Sequence, residues 1–261
     1  YYGQGTIAGT LTNTQGALAY GGVSTGVEDG KGLTVTETGT ITNGGTFTMG
    51  GAFANAGTVN GDGKLIFQRA AAATNLFTNS GTIDVGEFEA DNITFAQTAG
   101  SFNARSGWFA NSLVNHEGGE VAHDTLGCGN TFNVGKSGET SKVATLNLDT
   151  LDSESTLNII EGGYVHADKI AMTKDEKTTH LSGGTLATTL NQIFSDVYYT
   201  ALDIDAENPE DIVNIEGVKV ATGVSDVIES VSKGIEFGWG TVAFDDASYS
   251  ASMAGDVLQK L

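Results

Sequence analysis

Ile41-Thr42-Asn43-Gly44-Gly45-Thr46-Phe47, Phe53-Ala54-Asn55-Ala56-Gly57-Thr58-Val59 and Phe77-Thr78-Asn79-Ser80-Gly81-Thr82-Ile83 spell one unit three times: apolar, any, Asn, any, Gly, Thr, apolar. Their asparagines, Asn43, Asn55 and Asn79, are spaced by 12 and then by twice 12. A looser copy, Leu113-Val114-Asn115-His116-Glu117-Gly118-Gly119-Glu120-Val121, places Asn115 at three times 12 beyond Asn79, with one residue inserted. Leu11-Thr12-Asn13-Thr14-Gln15-Gly16-Ala17-Leu18 reads as a degenerate first copy, since the step from Asn13 to Asn43 is no multiple of 12 and lies off the register. Self-similarity of this kind is the mark of a repeat architecture.

The unit has a physical reading. Asn and Gly accept the positive φ of a tight turn, and the Asn side chain can bond nearby backbone. The flanking Thr, Val, Ile and Phe favour extended chain, with alternation as in Thr46-Phe47-Thr48 that turns one face in and the other out. Asn43-Gly44 alone would suit a type I′ hairpin. Hairpins with arms this short are marginal, whereas in a parallel solenoid each short strand pairs with its copies above and below. The sequence therefore predicts an all-β parallel β-helix. Its coil would be about 24 residues, or two turns per coil, with Asn43, Asn55, Asn79 and Asn115 stacked as a turn ladder at about 4.8 Å. Phe88, Phe95, Phe102 and Phe109 recur every seven residues, but Gly100 and Gly107 argue against a coiled coil. They read as inward-facing rings, and the spacing itself has no explanation at this level.

Composition narrows the function classes. The 261 residues include 37 Gly and 1 Pro without a three-residue period, which excludes collagen. Net charge is −20, of which residues 1–83 carry only −1 (Glu28, Asp29, Glu37 and Asp62 against Lys31, Lys64 and Arg69). Such a polyanion repels phosphate backbones and anionic membranes, so no nucleic-acid partner is expected. No apolar run reaches about 18 residues, so no direct membrane insertion by a helix is expected. The single Cys128 cannot form an internal disulfide and reads as a small packed side chain. The start at Tyr1-Tyr2-Gly3 reads as a processed or excised piece.

The repeat fades after about residue 190. Residues 1–190 are expected to form the solenoid and residues 191–261 an acidic α+β cap or the start of a further unit. Ala144–Leu148, Thr156–Ile160 and Gly240–Phe244 read as strands. Val224, Val227, Ile228 and Val231 have helical spacing, and Ser250 would cap a final helix over 251–261.

Searching for chemistry yields little. Gly22-Val23-Ser24-Thr25-Gly26 matches a nucleophile elbow in spelling only, since no helix can follow it. His116, Glu117, Glu120, His123 and Asp124 are the densest group of metal-ligand types, yet the histidines are seven apart across Gly118-Gly119. Asp203, Asp205, Glu207 and Asp211 are the best calcium candidates, because alternation puts carboxylates on one face of an extended chain. Calcium is thus the one cofactor left open. Asp84, Glu87, Glu89 and Asp91, with Trp108 or Trp239, have the residue types of a polysaccharide site. No catalytic residue is assigned, and the chain is read as a protein that is not an enzyme.

The Φ-x-Asn-x-Gly-Thr-Φ units around Asn43, Asn55 and Asn79, in a Gly/Thr/Asn-rich, acidic, cysteine-poor chain, resemble the passenger domains of bacterial autotransporters. Other Gram-negative surface adhesins share these features. The resemblance covers residues 1–190 and is one of style. It implies a right-handed parallel β-helix, secretion through an outer-membrane barrel, an extracellular or cell-surface location, and a role in cell adhesion or aggregation. Its partners would be a host-surface or neighbouring-cell protein or glycan, or further copies of itself. Two alternatives stand beside this: a polysaccharide-binding or polysaccharide-cleaving β-helix of the lyase or tailspike kind, and a self-assembling filament or surface-layer subunit.

Overall fold

A computed structural model describes residues 5–20, 32–68, 76–171, 178–188, 212–215, 218–221, 235–244 and 247–252. It divides into two compact units, Tyr1–Phe132 and Asn133–Leu261. Each unit is a parallel β-solenoid in its described part, and no helix occurs among the described residues.

In the first unit the coils lay strands on three faces, the last of them on only two. The first face stacks β1 (Gly5–Ile7), β4 (Gly32–Val35), β7 (Ala52–Asn55), β9 (Leu76–Asn79), β11 (Thr94–Gln97) and β13 (Leu113–His116), each parallel to the next. The second face stacks β2 (Thr10–Asn13), β5 (Thr40–Asn43), the front halves of β8 (Thr58–Gln68), β10 (Thr82–Asp91) and β12 (Ser101–Ala110), and then β14 (Gly119–His123). The third takes β3 (Ala17–Tyr20), β6 (Thr46–Met49) and the rear halves of β8, β10 and β12. Four-residue arms suffice because their hydrogen bonds run between coils rather than within one.

Alternation fills the core. On the first face Leu33, Phe53, Phe77, Phe95 and Val114 are buried in successive coils; on the second, Ile41, Val59, Ile83, Phe102 and Val121; on the third, Phe47, Leu65 and Phe88. The seven-residue phenylalanine spacing now has its reason. Phe88, Phe95, Phe102 and Phe109 lie on the third, first, second and third faces in turn, so seven residues is one face plus one corner. Their rings meet in the centre, Phe88–Phe109 at 4.8 Å and Phe95–Phe102 at 5.3 Å between centroids. Gly107, the register partner of Phe88, makes room for this: a Cβ there would stand 2.2 Å from the Phe88 ring.

The coils are irregular, and most are shorter than the sequence suggested. Leu33, Phe53, Phe77, Phe95 and Val114 are register equivalents, so their numbers mark off successive coils. Only the coil from Phe53 to Phe77 has the expected length, and those from Leu33 to Phe53, Phe77 to Phe95 and Phe95 to Val114 all fall short of it. The recurrence at 12 is not half a coil. Asn43 ends a strand of the second face and Asn55 one of the first, two different corners.

The division between units falls inside β15 (Thr131–Val134). In the second unit β16 (Ala144–Asp152) lies parallel to β18 (Gly163–Ala171). β17 (Thr156–Ile160) and β18 both pair with β19 (Thr179–Thr188). β20 (Ile212–Ile215) and β21 (Val218–Ala221) form an antiparallel pair of their own. β22 (Ile235–Phe244) continues the parallel stack on β19, and β23 (Ala247–Ser252) covers the other edge of its Trp239–Phe244 stretch antiparallel. The strands expected at Ala144–Leu148, Thr156–Ile160 and Gly240–Phe244 are present. Ser250 lies within β23 and caps no helix at 251. The rest of that segment, the helix expected at 224–231 and the boundary near residue 190 lie outside the described residues.

Candidate functional site

Outward positions on the first unit's second and third faces carry most of its charge. On the third face the register lines up Lys64, Glu87 and Ser106 in one column and Ile66, Glu89 and Trp108 in the next. Neighbours within a column are about 4.8 Å apart, the strand spacing of any sheet. Lys64 Nζ donates to Glu87 Oε1 at 3.0 Å and to Glu89 Oε1 at 2.5 Å, so one ammonium ties two carboxylates on the next coil. The hydrogen bond to Glu89, and then that to Glu87, holds the Lys64 pKa above its ordinary value. A pair this exposed adds at most about 1 kcal/mol of stability, so its main effect is to fix where the carboxylates stand.

Trp108 stands beside Glu89 with 42% of its surface exposed. The other exposed large apolar residues among those described, Leu76 and Leu113, lie on the first face. Amide–carboxylate pairs stand before and after the tryptophan along the chain, one on the second face and one at the end of the third. Asn103 Nδ2 donates to Asp84 Oδ1 at 3.3 Å, and Asn111 Nδ2 to Asp91 Oδ1 at 3.3 Å. Asn111 holds φ at 49°, a left-handed corner conformation that asparagine tolerates. Arg105 pairs with Asp62 at the second-face edge. Asp84, Glu87, Glu89 and Asp91 therefore all sit along the outside of β10, Asp84 on the second face and the others on the third, and the fold brings Trp108 beside Glu89. Trp239 belongs to β22 in the second unit.

The asparagine ladder exists in two parts. At the corner after the first face, Asn55 Nδ2 donates to Asn79 Oδ1 at 2.8 Å, and Asn79 Nδ2 to Gln97 Oε1 at 2.9 Å. All three side chains are buried. At the corner after the second face, Asn13 Nδ2 donates to Asn43 Oδ1 at 2.8 Å, and Asn43 closes the series by donating to the carbonyls of Gly45 and Lys64. Asn13 is thus in register with Asn43 after all, because two coils can differ in length and still align their corners. Asn115 is not a rung. It is the register partner of Ala96, and the ladder position in that coil belongs to His116, the partner of Gln97. The buried apolar position of that copy is Val114 rather than Leu113, so the unit begins one residue later than its spelling suggests, and a one-residue shift exchanges inside and outside.

His116 and His123 both point into the core, at the ends of β13 and β14, while Glu117 and Glu120 face outward. They cannot converge on one metal ion, and no group of three or more His, Cys, Asp or Glu suited to a metal occurs among the described residues. His123 packs on Phe88, Phe102 and Phe109 with centroids at 4.6, 5.5 and 5.2 Å. Burial among these rings pushes its pKa down to about 3. Asp203, Asp205, Glu207 and Asp211, the calcium candidates, lie outside the described residues, as does Ser24. Cys128 is exposed rather than packed, in a corner after Gly127 where its backbone bridges to Ala110 and its carbonyl accepts from the Asn111 N–H.

Sequence reading missed Gln97 and Asn130. Gln97 extends the ladder by one rung, and only its position two before Ala99-Gly100 hints at that. Asn130 Oδ1 accepts from the Ser112 backbone N–H, and its Nδ2 donates to the carbonyls of Phe109 and Leu126, each at 2.8 Å. Its neighbours Gly129 and Thr131 are the only trace of the repeat in that stretch.

Comparison with protein-family models, with curated proteins and with solved structures finds no match.

Proposed function

We propose that this chain is an extracellular structural and adhesive segment of a bacterial surface protein, a passenger-type β-solenoid that binds through its outer faces and corners and performs no catalysis. The observation that carries the reading is the buried Asn55–Asn79–Gln97 series inside a parallel stack. Each rung satisfies polar groups that would cost about 1–3 kcal/mol apiece if buried unpaired, so it ties coil to coil and holds the scaffold in register. Such a stack presents side chains at fixed spacing without needing a cleft. The net charge of −20 suits passage among anionic surfaces and argues for protein or glycan partners rather than nucleic acid. In this reading Glu87 and Glu89, joined through Lys64, fix the surface instead of acting as acid and base.

Beads coated with the purified chain test the proposal. They should be retained on bacterial or epithelial cell layers several-fold above albumin-coated beads. Retention at the albumin level, together with release of reducing or unsaturated sugar ends from acidic polysaccharides, would overturn it in favour of a polysaccharide-cleaving enzyme.

A further inference from the structure

We infer that the outer face around Trp108 is a contact site for an uncharged polysaccharide, with a sugar ring stacked on the indole and its hydroxyls bonded to the groups beside it. The inference deepens the adhesive reading above and rests on it for its setting. The apolar surface offered is one indole rather than a patch. Leu76 and Leu113 are on another face with Thr94 between them in register, so among the described residues no continuous apolar area of the size a protein partner needs is assembled. An isolated exposed indole with polar groups on every side suits a ligand that is itself amphipathic, with one C–H face and a rim of hydroxyls.

The rim matches that chemistry. A sugar hydroxyl donates and accepts at once, and wants a donor and an acceptor close together. Asn111 with Asp91 places an amide N–H₂ next to a carboxylate at the corner just past Trp108, and Asn103 with Asp84 repeats the pair on the adjoining second face, where further units of a polymer would reach. Each amide has a second N–H and each carboxylate further lone pairs to offer. Glu89, the register neighbour of Trp108, is held by Lys64 and so presents its remaining acceptor sites at a fixed place on the same face. Charge excludes the alternative glycans. Asp84, Glu87, Glu89 and Asp91 outnumber Lys64 and Arg105 here, Arg105 is itself paired with Asp62, and the chain as a whole is strongly acidic, so sulfated or uronic-acid polymers would be repelled.

The test titrates the full chain with soluble uncharged glucans, xyloglucan and galactomannan, with heparin as the sulfated counterpart, by calorimetry and indole fluorescence. At least one neutral polymer should bind and heparin should not. Trp108→Ala should weaken binding roughly tenfold, the loss of one stacking contact, while Trp108→Phe should lose less and Trp239→Phe nothing. Denaturation midpoints of the Trp108 variants should match the parent, since the side chain is at the surface. Unchanged affinity in Trp108→Ala, binding of heparin alone, or no binding to any neutral polymer would overturn the site. The bead assay run on the same proteins separates the two readings. Cell adhesion without neutral-glycan affinity overturns the site and leaves the adhesive reading standing, whereas Trp108-dependent glycan affinity without adhesion does the reverse.

Discussion

The two amide-lined corners of the first unit carry the same spelling and have different fates. After the first face the column runs Ile7, Val35, Asn55, Asn79, Gln97, His116, apolar at first and then polar in every coil. After the second face it begins polar, with Asn13 and Asn43, and then turns to Gly61, Val85 and Ala104. The later coils no longer turn sharply there. β8, β10 and β12 run through that corner as long strands with a register irregularity between Val85 and Glu87. An amide at a corner is therefore useful only where the chain turns sharply enough to leave backbone groups for it to bond. Where the strand continues, the ladder between strands already pairs those groups, and the position is given to packing. At the last of these coils the position falls to His123, three residues beyond Glu120 as Asn43 is three beyond Thr40.

The contrast makes three predictions. The largest concerns His123, which replaces an amide at the second corner but lies among rings, its Nε2 without a hydrogen-bond partner. Its folded pKa of about 3 is below the ordinary 6.5, so the unfolded chain takes up the proton first. Stability is then full above about pH 6.5 and falls as the pH drops towards 3. The loss from this group is about 3 kcal/mol by pH 4 and about 5 kcal/mol at the acid limit. Urea denaturation of the parent and of His123→Phe between pH 7 and 4 measures it as the difference in slope. Equal slopes would mean that this corner is as wet as an Asn corner.

Next is Asn79→Ala in the middle of the first ladder. It removes one acceptor from the Asn55 amide, which keeps the carbonyls of Gly57 and Thr82, and takes the Asn79 donor from the Gln97 oxygen in the core, so it should cost roughly 3 kcal/mol by denaturation at pH 7. A cost under about 1 kcal/mol would make the ladder ornamental. The smallest is Gly61→Asn, which asks whether the second ladder could have continued. A Cβ at Gly61 would lie 2.2 Å from the Asn43 carbonyl oxygen, and φ there is +125°. The substitution should therefore destabilise by roughly 2–3 kcal/mol through strain rather than gain a rung. An unchanged or raised midpoint would show that the second corner is only a worn copy of the first.

Much of the fold was legible because it rests on local chemistry. The alternation in Thr46-Phe47-Thr48 and the Asn-x-Gly corners each favour their conformation without distant help, and short arms leave stacking as the way to pair them. The candidate site was legible only as residue types. Glu87 and Glu89 are close to each other in the chain, but their neighbours Lys64 and Trp108 come from the coils on either side. Trp108 could be placed next to Glu89 only by knowing how far one circuit carries the chain, and the circuit before it, from Ile66 to Glu89, is longer.

The chain's own spelling was thus enough to specify short extended arms, tight polar corners and an all-β parallel stack, since turn chemistry and inside–outside alternation act over a few residues. Which corner each asparagine lines, why Asn115 yields its place to His116, how four phenylalanines seven apart share one core, and where Trp108 meets Glu89 came from the stacked structure. Those outcomes depend on how much chain each coil consumes before it returns, a sum over the whole circuit that no single stretch records.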